Sequence, residues 1–190
     1  RDDVIAIDYR EMAPSGATRD MFLDENGDVD NMRARFSHLS SGVPGSVMGL
    51  ATALEKYGTM KLKDVIGPAI RLAEKGYPAS GALADSLGQY RERFGRDPSS
   101  KAYFLNSDGV SYKSGELFTQ KDLARTLKAI RDRGAAGFYE GPVADLIVAE
   151  MQKNGGLITR EDLKNYRVVE RAAVTGEFRG YEIASMPPPS

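Results

Sequence analysis

The chain has 190 residues, 41% of them hydrophobic, enough to build one sizeable core or part of a larger one. Its 26 basic and 27 acidic residues leave a formal net charge of -1, so no global field holds a polyanion or an anionic membrane, and nucleic acid is not an expected partner. There is no cysteine for a disulfide or a thiolate metal site, and no run approaches the ~18 apolar residues needed to cross a bilayer.

Val4 to Ile7 is a short apolar run, largely β-branched, of the kind that suits a covered strand. Asp8-Tyr9-Arg10-Glu11-Met12-Ala13 follows, until Pro14 stops regular structure, so Arg10 emerges at a strand end. An arginine there offers a carboxylate a rigid, permanently charged fork of donors that lysine cannot reproduce. On the residues alone the plainer reading is an ion pair of Arg10 with Asp8 or Glu11 at a sheet edge, since most surface ion pairs have no function.

From Pro14 to Phe36 the chain is polar and turn-rich. Asp24, Asn26, Asp28 and Asp30 alternate as in a calcium loop, but Arg35 stands where a bidentate glutamate is needed, and a solvated turn centred on Asn26-Gly27 is expected. His38 is the only histidine; without a nucleophile motif or further metal ligands it reads as a loop residue bonded near Ser37 and Ser40. Pro44 and Gly45 make a turn. Ser46 is placed as the cap of a helix whose apolar face is Val47, Leu50, Ala51, Leu54 and Tyr57, ending at Gly58.

Leu62 to Ala73 carries helical spacing, and Gly67-Pro68 predicts a short helix through Ile66 and a second starting at Pro68. Leu83, Leu87, Tyr90 and Phe94 mark another helical stripe, capped by Ser80, with Arg91 and Arg93 on a solvated face. Ala102 to Leu105 and Val110 to Tyr112 flank Asn106-Ser107-Asp108-Gly109 and read as a small central hairpin. Leu123, Leu127 and Ile130 form a helix with Thr119 and Asp122 as its capping pair. A tight connection from Gly137 to Gly141 precedes a helix bearing Val143, Leu146, Ile147 and Met151, and Thr159 with Asp162 opens a further short helix.

Val168-Val169, Val174 to Phe178 and Tyr181 to Met186 are strand-like, with Gly180 turning a hairpin. The order is strand, mostly helices, then strands. It predicts an α+β fold with a helical layer over about residues 46–165 lying on one side of a sheet, and strand segments near 3–9 and 167–186. Arg1 beside an apolar strand, and Ser190 after the prolines Pro187 to Pro189, give the expectation of a piece of something longer; the missing leader then says little.

Asp8-Tyr9-Arg10-Glu11-Met12-Ala13-Pro14, continuing through Ala17-Thr18-Arg19-Asp20-Met21-Phe22, resembles the arginine-bearing segment of the γ-glutamyltranspeptidase large subunit, an N-terminal nucleophile (Ntn) hydrolase of αββα type. Ser41-Gly42-Val43-Pro44-Gly45, Lys56-Tyr57-Gly58-Thr59, Asn154-Gly155-Gly156-Leu157-Ile158-Thr159 and Met186-Pro187-Pro188-Pro189-Ser190 resemble the same family in the same order. The resemblance spans nearly the whole chain, residues 1–190, as part of a large subunit, and it reverses the plainer reading of Arg10.

The resemblance implies transfer of a γ-glutamyl group from glutathione or a related donor to water or to an amino acid or peptide acceptor. The nucleophile would be a threonine that becomes the N-terminus of a small subunit after self-cleavage of the precursor. Thr18, Thr52, Thr59, Thr119, Thr126, Thr159 and Thr175 do not sit in the family's nucleophile motif, so no catalytic residue is expected here and the chain alone is expected to be inactive. By match to the family, Arg10 is the substrate-binding residue, gripping the donor's α-carboxylate; no cofactor or metal is implied. Bacterial members are usually periplasmic or secreted, which sets the expected location. The alternatives are a related acylase, cephalosporin acylase-like or polyglutamate-processing, and a helical interaction module without chemistry. The balance of hydrolysis and transfer, the acceptor, and any homo-oligomer of the isolated span are left open.

Overall fold

A computed structural model describes residues 4–188. In chain order, β1 (Ile5–Asp8) leads through turns to α1 (Asn31–Phe36), a 3-10 turn at His38–Ser40 and α2 (Ser46–Tyr57). Next come α3 (Leu62–Lys75), β2 (Tyr77–Pro78), α4 (Gly81–Gln89), α5 (Arg91–Phe94), α6 (Pro98–Phe104) and β3 (Leu117–Phe118). The remaining elements are α7 (Lys121–Arg133), α8 (Ala136–Tyr139), α9 (Pro142–Asn154), α10 (Arg160–Asn165), β4 (Val169–Ala172), β5 (Val174–Phe178) and β6 (Tyr181–Ser185). Two compact units result, residues 4–62 with 133–188, and residues 63–132.

The first unit is built around α9 and α10. Gly141 at φ 70 and Pro142 at the first helical position start α9, and Gly155 in the left-handed region ends it, the expected use of proline at the entry and glycine at the exit. Thr159 and Asp162 form a complete capping box on α10. Asp162 also accepts the Ser15 N–H at 2.8 Å, tying the segment after Pro14 to this helix. Burial opposes the Asp162 charge, but the bonds from Thr159 and Ser15 outweigh it and hold the carboxyl below its usual range. Val43, Tyr139, Ala144, Val148, Ile158, Leu163 and Tyr166 form the core, and Val47, Ile147 and Met151 pack on it. β1 lies antiparallel to β4, with Ile5 opposite Ala172 and Asp8 opposite Val169. β5 and β6 close a hairpin in which Arg179 and Gly180 both take positive φ, as a right-twisted two-residue turn requires.

The second unit packs Ala79, Leu87 and Phe118 with Leu83, Phe94, Phe104 and Tyr112. Phe94 stacks on Phe104 at 4.6 Å between centroids, and Tyr112 meets Phe118 edge-on at 5.1 Å. Tyr77-Pro78 pairs antiparallel with Leu117-Phe118.

The α+β architecture stands; several of its details are corrected. Among the described residues the strands form three separate two-stranded ribbons, not one sheet under a helical layer. The expected covered strand therefore leaves Val4 and Ile5 exposed and buries only Ala6 fully. The central hairpin is absent. Asp97 caps the Ser100 N–H and Pro98 begins α6, so Ala102 to Phe104 are helical; Asn106 still makes its turn, accepting from the Asp108 and Val110 N–H groups. α3 runs unbroken through Pro68. The preceding residue is Gly67, which has no Cβ to meet the proline ring, and Pro68 is exposed, where water can serve the freed carbonyl. The stripe from Leu83 to Phe94 breaks at Tyr90 into α4 and α5.

Ser46 is the first helical residue of α2 rather than its cap; the cap position belongs to Gly45, where no side chain fits. Leu50 is 63% exposed and Leu146 72% exposed, because α2 buries Gly49 and α9 buries Ala144 and Val148 instead. The 137–141 connection contains the extra turn α8, and α1 interrupts the segment expected to be irregular up to Phe36. The turn at Asn26-Gly27 is as expected: Asp24 accepts the Asn26 and Asp28 N–H groups, and Gly27 takes φ 84. Pro189 and Ser190, the end of one motif, lie outside the described residues.

Candidate functional site

Arg10 follows the last ladder pair of β1, Asp8 with Val169, and lines an open cleft of about 560 Å³. Asp8, Arg10 and Glu11 form one wall; Gly42, Pro44 and Ser46 form the other, and Met186 also lines the cleft. The walls are joined by a bridge in which Met12 N–H donates to the Val43 carbonyl at 3.2 Å and Val43 N–H to the Met12 carbonyl at 2.8 Å. Gly42 permits this approach. A Cβ there would come within 2.8 Å of Glu11 Cγ.

The sequence offers Asp8 or Glu11 as partner of the Arg10 side chain, and the structure divides the roles. Asp8 accepts Arg171 Nε at 2.9 Å on one oxygen and the Arg10 backbone N–H at 3.2 Å on the other. The Arg171 bond is the main reason the Asp8 carboxyl stays below its usual range, with the Arg10 N–H second. The Arg10 guanidinium meets Glu11 at 3.4 Å, with the two side chains 51% and 59% exposed. An ion pair of that length and exposure contributes little, so an incoming carboxylate can compete with it. Glu11 is held ionised first by its own backbone N–H and then by Arg10. With Asp8 taken up by Arg171 and the Arg10 N–H, the wall presents the Arg10 guanidinium beside the Glu11 carboxylate, a pattern that suits an anionic group carrying a nearby cation.

The backbone here is fixed by two buried phenols. The Tyr166 hydroxyl donates to the Arg10 carbonyl at 2.8 Å. The Tyr139 hydroxyl donates to the Pro44 carbonyl at 2.7 Å and accepts the Met48 N–H at 3.2 Å. The two rings stack at 5.7 Å with 7° between planes. Gly45 is packed by the Tyr166 hydroxyl and the Tyr9 carbonyl, and Gly49 by the Tyr9 ring, so α2 approaches the strand end only because both lack a Cβ.

Neither tyrosine was marked by sequence. Tyr166 and its acceptor are 156 residues apart and Tyr139 and its acceptor 95, so no local pattern carries either contact. His38 sits elsewhere. Its Nε2 meets Glu150 at 3.2 Å, which corrects the expected bonding to Ser37 and Ser40; those hydroxyls serve the Arg33 and Ser37 carbonyls. Among the described residues, no three His, Cys, Asp or Glu side chains are placed to hold a metal.

The family model described as gamma-glutamyltranspeptidase matches residues 1–190. A glutathione hydrolase proenzyme of Escherichia coli K12 is 50% identical over 186 residues, which are 97% of this chain and 32% of that protein. The glutathione hydrolase proenzyme of Bacillus subtilis 168 is 42% identical over 189 residues, 99% of this chain and 32% of that protein. The crystal structure of Helicobacter pylori γ-glutamyltranspeptidase aligns with a TM-score of 0.95 at 51% identity, covering 98% of this chain and 53% of that one. The chain therefore spans about a third of the length of the curated relatives it matches.

Proposed function

The chain belongs to the γ-glutamyltranspeptidase family, and from that premise we propose that Arg10 grips the α-carboxylate of a γ-glutamyl donor in an enzyme that cleaves glutathione and related compounds. The observation that carries the reading is the placement of Arg10, on the wall of an open cleft at a strand end, with its backbone held by Asp8 and Tyr166 and its side chain loosely engaged by Glu11. A γ-linked glutamate keeps a free α-carboxylate several bonds from the scissile amide. A fixed cation registers that separation and so distinguishes γ-linked from α-linked donors. The planar fork suits a carboxylate in two-point contact, which an ammonium does not reproduce.

The chemistry itself needs a nucleophile, and among the described residues no threonine lines this cleft. Among its lining residues the only hydroxyls are those of Tyr9 and Ser46. We assign the reacting group to a threonine in polypeptide outside these 190 residues, released as the N-terminus of a small subunit of the same precursor. Its hydroxyl attacks the γ-carbonyl while its own α-amine takes the proton. The γ-glutamyl group is left as an ester on the threonine as the cysteinylglycine amine departs, and water or the amine of an amino acid or peptide acceptor then takes it. The word proenzyme in the names of two relatives supports a processed precursor. Export to the periplasm or the medium belongs to the same reading and rests on family resemblance alone.

Truncating one partner of a desolvated charge pair costs about 2–5 kcal/mol. Arg10→Ala and Arg10→Lys in the full-length protein are therefore expected to raise KM for a γ-glutamyl anilide at least tenfold, a factor worth about 1.4 kcal/mol. Steady-state kinetics on the processed enzyme reads this, and an unchanged KM removes the assignment.

A further inference from the structure

Arg10 lies beyond the ladder of β1, so sheet bonds do not set its backbone. Three other contacts do. Its N–H is tied to the Asp8 carboxylate, Met12 is bridged to Val43 two residues later, and its carbonyl accepts the Tyr166 hydroxyl at 2.8 Å. The first lies within the exposed wall, and the second ties Met12, two residues on, to Val43, which belongs to the core. The third comes from the core, since Tyr166 is 2% exposed. It is stacked on Tyr139, whose own hydroxyl holds the Pro44 carbonyl in the cleft lining and the Met48 N–H of α2. A buried hydroxyl without a partner is costly, so this phenol keeps its acceptor and transmits the rigidity of the core to one peptide unit. That unit carries the Cα from which the guanidinium extends. Burial also raises the pKa of both phenols, so both remain protonated donors at neutral pH.

We propose that Tyr166 is a positioning residue for donor recognition: by holding the Arg10 carbonyl it aims the guanidinium at the α-carboxylate of the donor. The inference rests on the reading of Arg10 given above. It also accounts for Gly45, since a Cβ there would meet the Tyr166 hydroxyl and the Tyr9 carbonyl and push the phenol off its acceptor.

The test is a double-mutant cycle in the full-length, processed enzyme with a γ-glutamyl anilide as donor. Tyr166→Phe keeps the ring and its stacking and deletes only the hydroxyl. It is expected to raise KM about three- to tenfold, the size of one neutral hydrogen bond, with kcat within about twofold of wild type. In an Arg10→Ala background the same change should have no further effect on kcat/KM, because the residue acts through Arg10. Val148→Ala removes volume from the same core without touching the Arg10 peptide; it should lower Tm and leave KM unchanged, which separates aiming from general loosening. The inference is overturned if Tyr166→Phe leaves KM at the wild-type value, if it lowers kcat alone, if its effect adds in full to that of Arg10→Ala, or if Val148→Ala raises KM equally. If Arg10→Ala itself leaves KM unchanged, the donor-binding reading fails and the inference falls with it. A rise with Arg10→Ala but none with Tyr166→Phe removes the inference and leaves that reading standing.

Discussion

Arg10 was legible because its neighbours form a motif: a strand end, two flanking carboxylates and a proline stop are all local to residues 4–14. What holds it was not, because Tyr166, Arg171 and Val43 come from distant parts of the chain and an isolated tyrosine between polar residues carries no signal of its partner. The buried phenols supply a test at this scale. Burial pushes the Tyr139 hydroxyl up to about 12, against a lowering by the Met48 N–H. Its folded value thus lies above the unfolded value near ~10. The neutral phenol then contributes stability that is fully present below about pH 10 and is lost as pH rises towards 12. Followed by tyrosinate absorbance, Tyr139 and Tyr166 of the 9 tyrosines should titrate after the exposed ones while the fold persists, and Tyr139→Phe should shrink that late step. Simultaneous titration of all tyrosines near ~10 in the folded protein would contradict the burial described for Tyr139.

Elements were read best where their termini carry their own chemistry. The Thr159–Asp162 box, the Ser80 cap and Gly155 at the end of α9 are short-range devices, and each stands where the sequence put it. The faces of α2 and α9 were misread because the contacts there use small residues, so the large apolar side chains Leu50 and Leu146 point outwards. The hairpin around Asn106 failed for a related reason: its turn is real, but Asp97 and Pro98 claim the first arm for a helix. Two glycines in helices separate packing from propensity. Gly88 in α4 has nothing within 4 Å of an added Cβ, so Gly88→Ala should raise stability by about 0.5–1 kcal/mol. Gly49 in α2 lies against Cβ, Cγ and Cδ1 of Tyr9, atoms too near the backbone to swing away. There the propensity gain is outweighed by overpacking of about 1–3 kcal/mol, so Gly49→Ala should lower Tm and weaken donor binding through the displaced strand end. Thermal unfolding of the two variants checks both signs, and a stabilised Gly49→Ala protein would remove the close approach from the account.

At the scale of the whole molecule, the α+β class follows from the order of periodic segments, whereas the layered arrangement of the family does not, because among the described residues the strands pair only two by two. Both strands of the β5–β6 hairpin are exposed along their whole length, including Phe178, Tyr181 and Ile183. The chain is about a third as long as the curated relatives, and the proposed function puts the nucleophile in other polypeptide. The 190-residue chain by itself should therefore release no anilide from a γ-glutamyl anilide, and turnover by this chain alone would place a nucleophile within it. The most direct measurement of the central claim compares two donors in the full-length enzyme, one with a free α-carboxylate and one with that group capped as an amide. Wild type should prefer the free acid strongly in kcat/KM, and Arg10→Ala should shrink that preference at least tenfold, the size expected for loss of one charged contact. A preference that survives the loss of the guanidinium intact would mean that the α-carboxylate is read elsewhere.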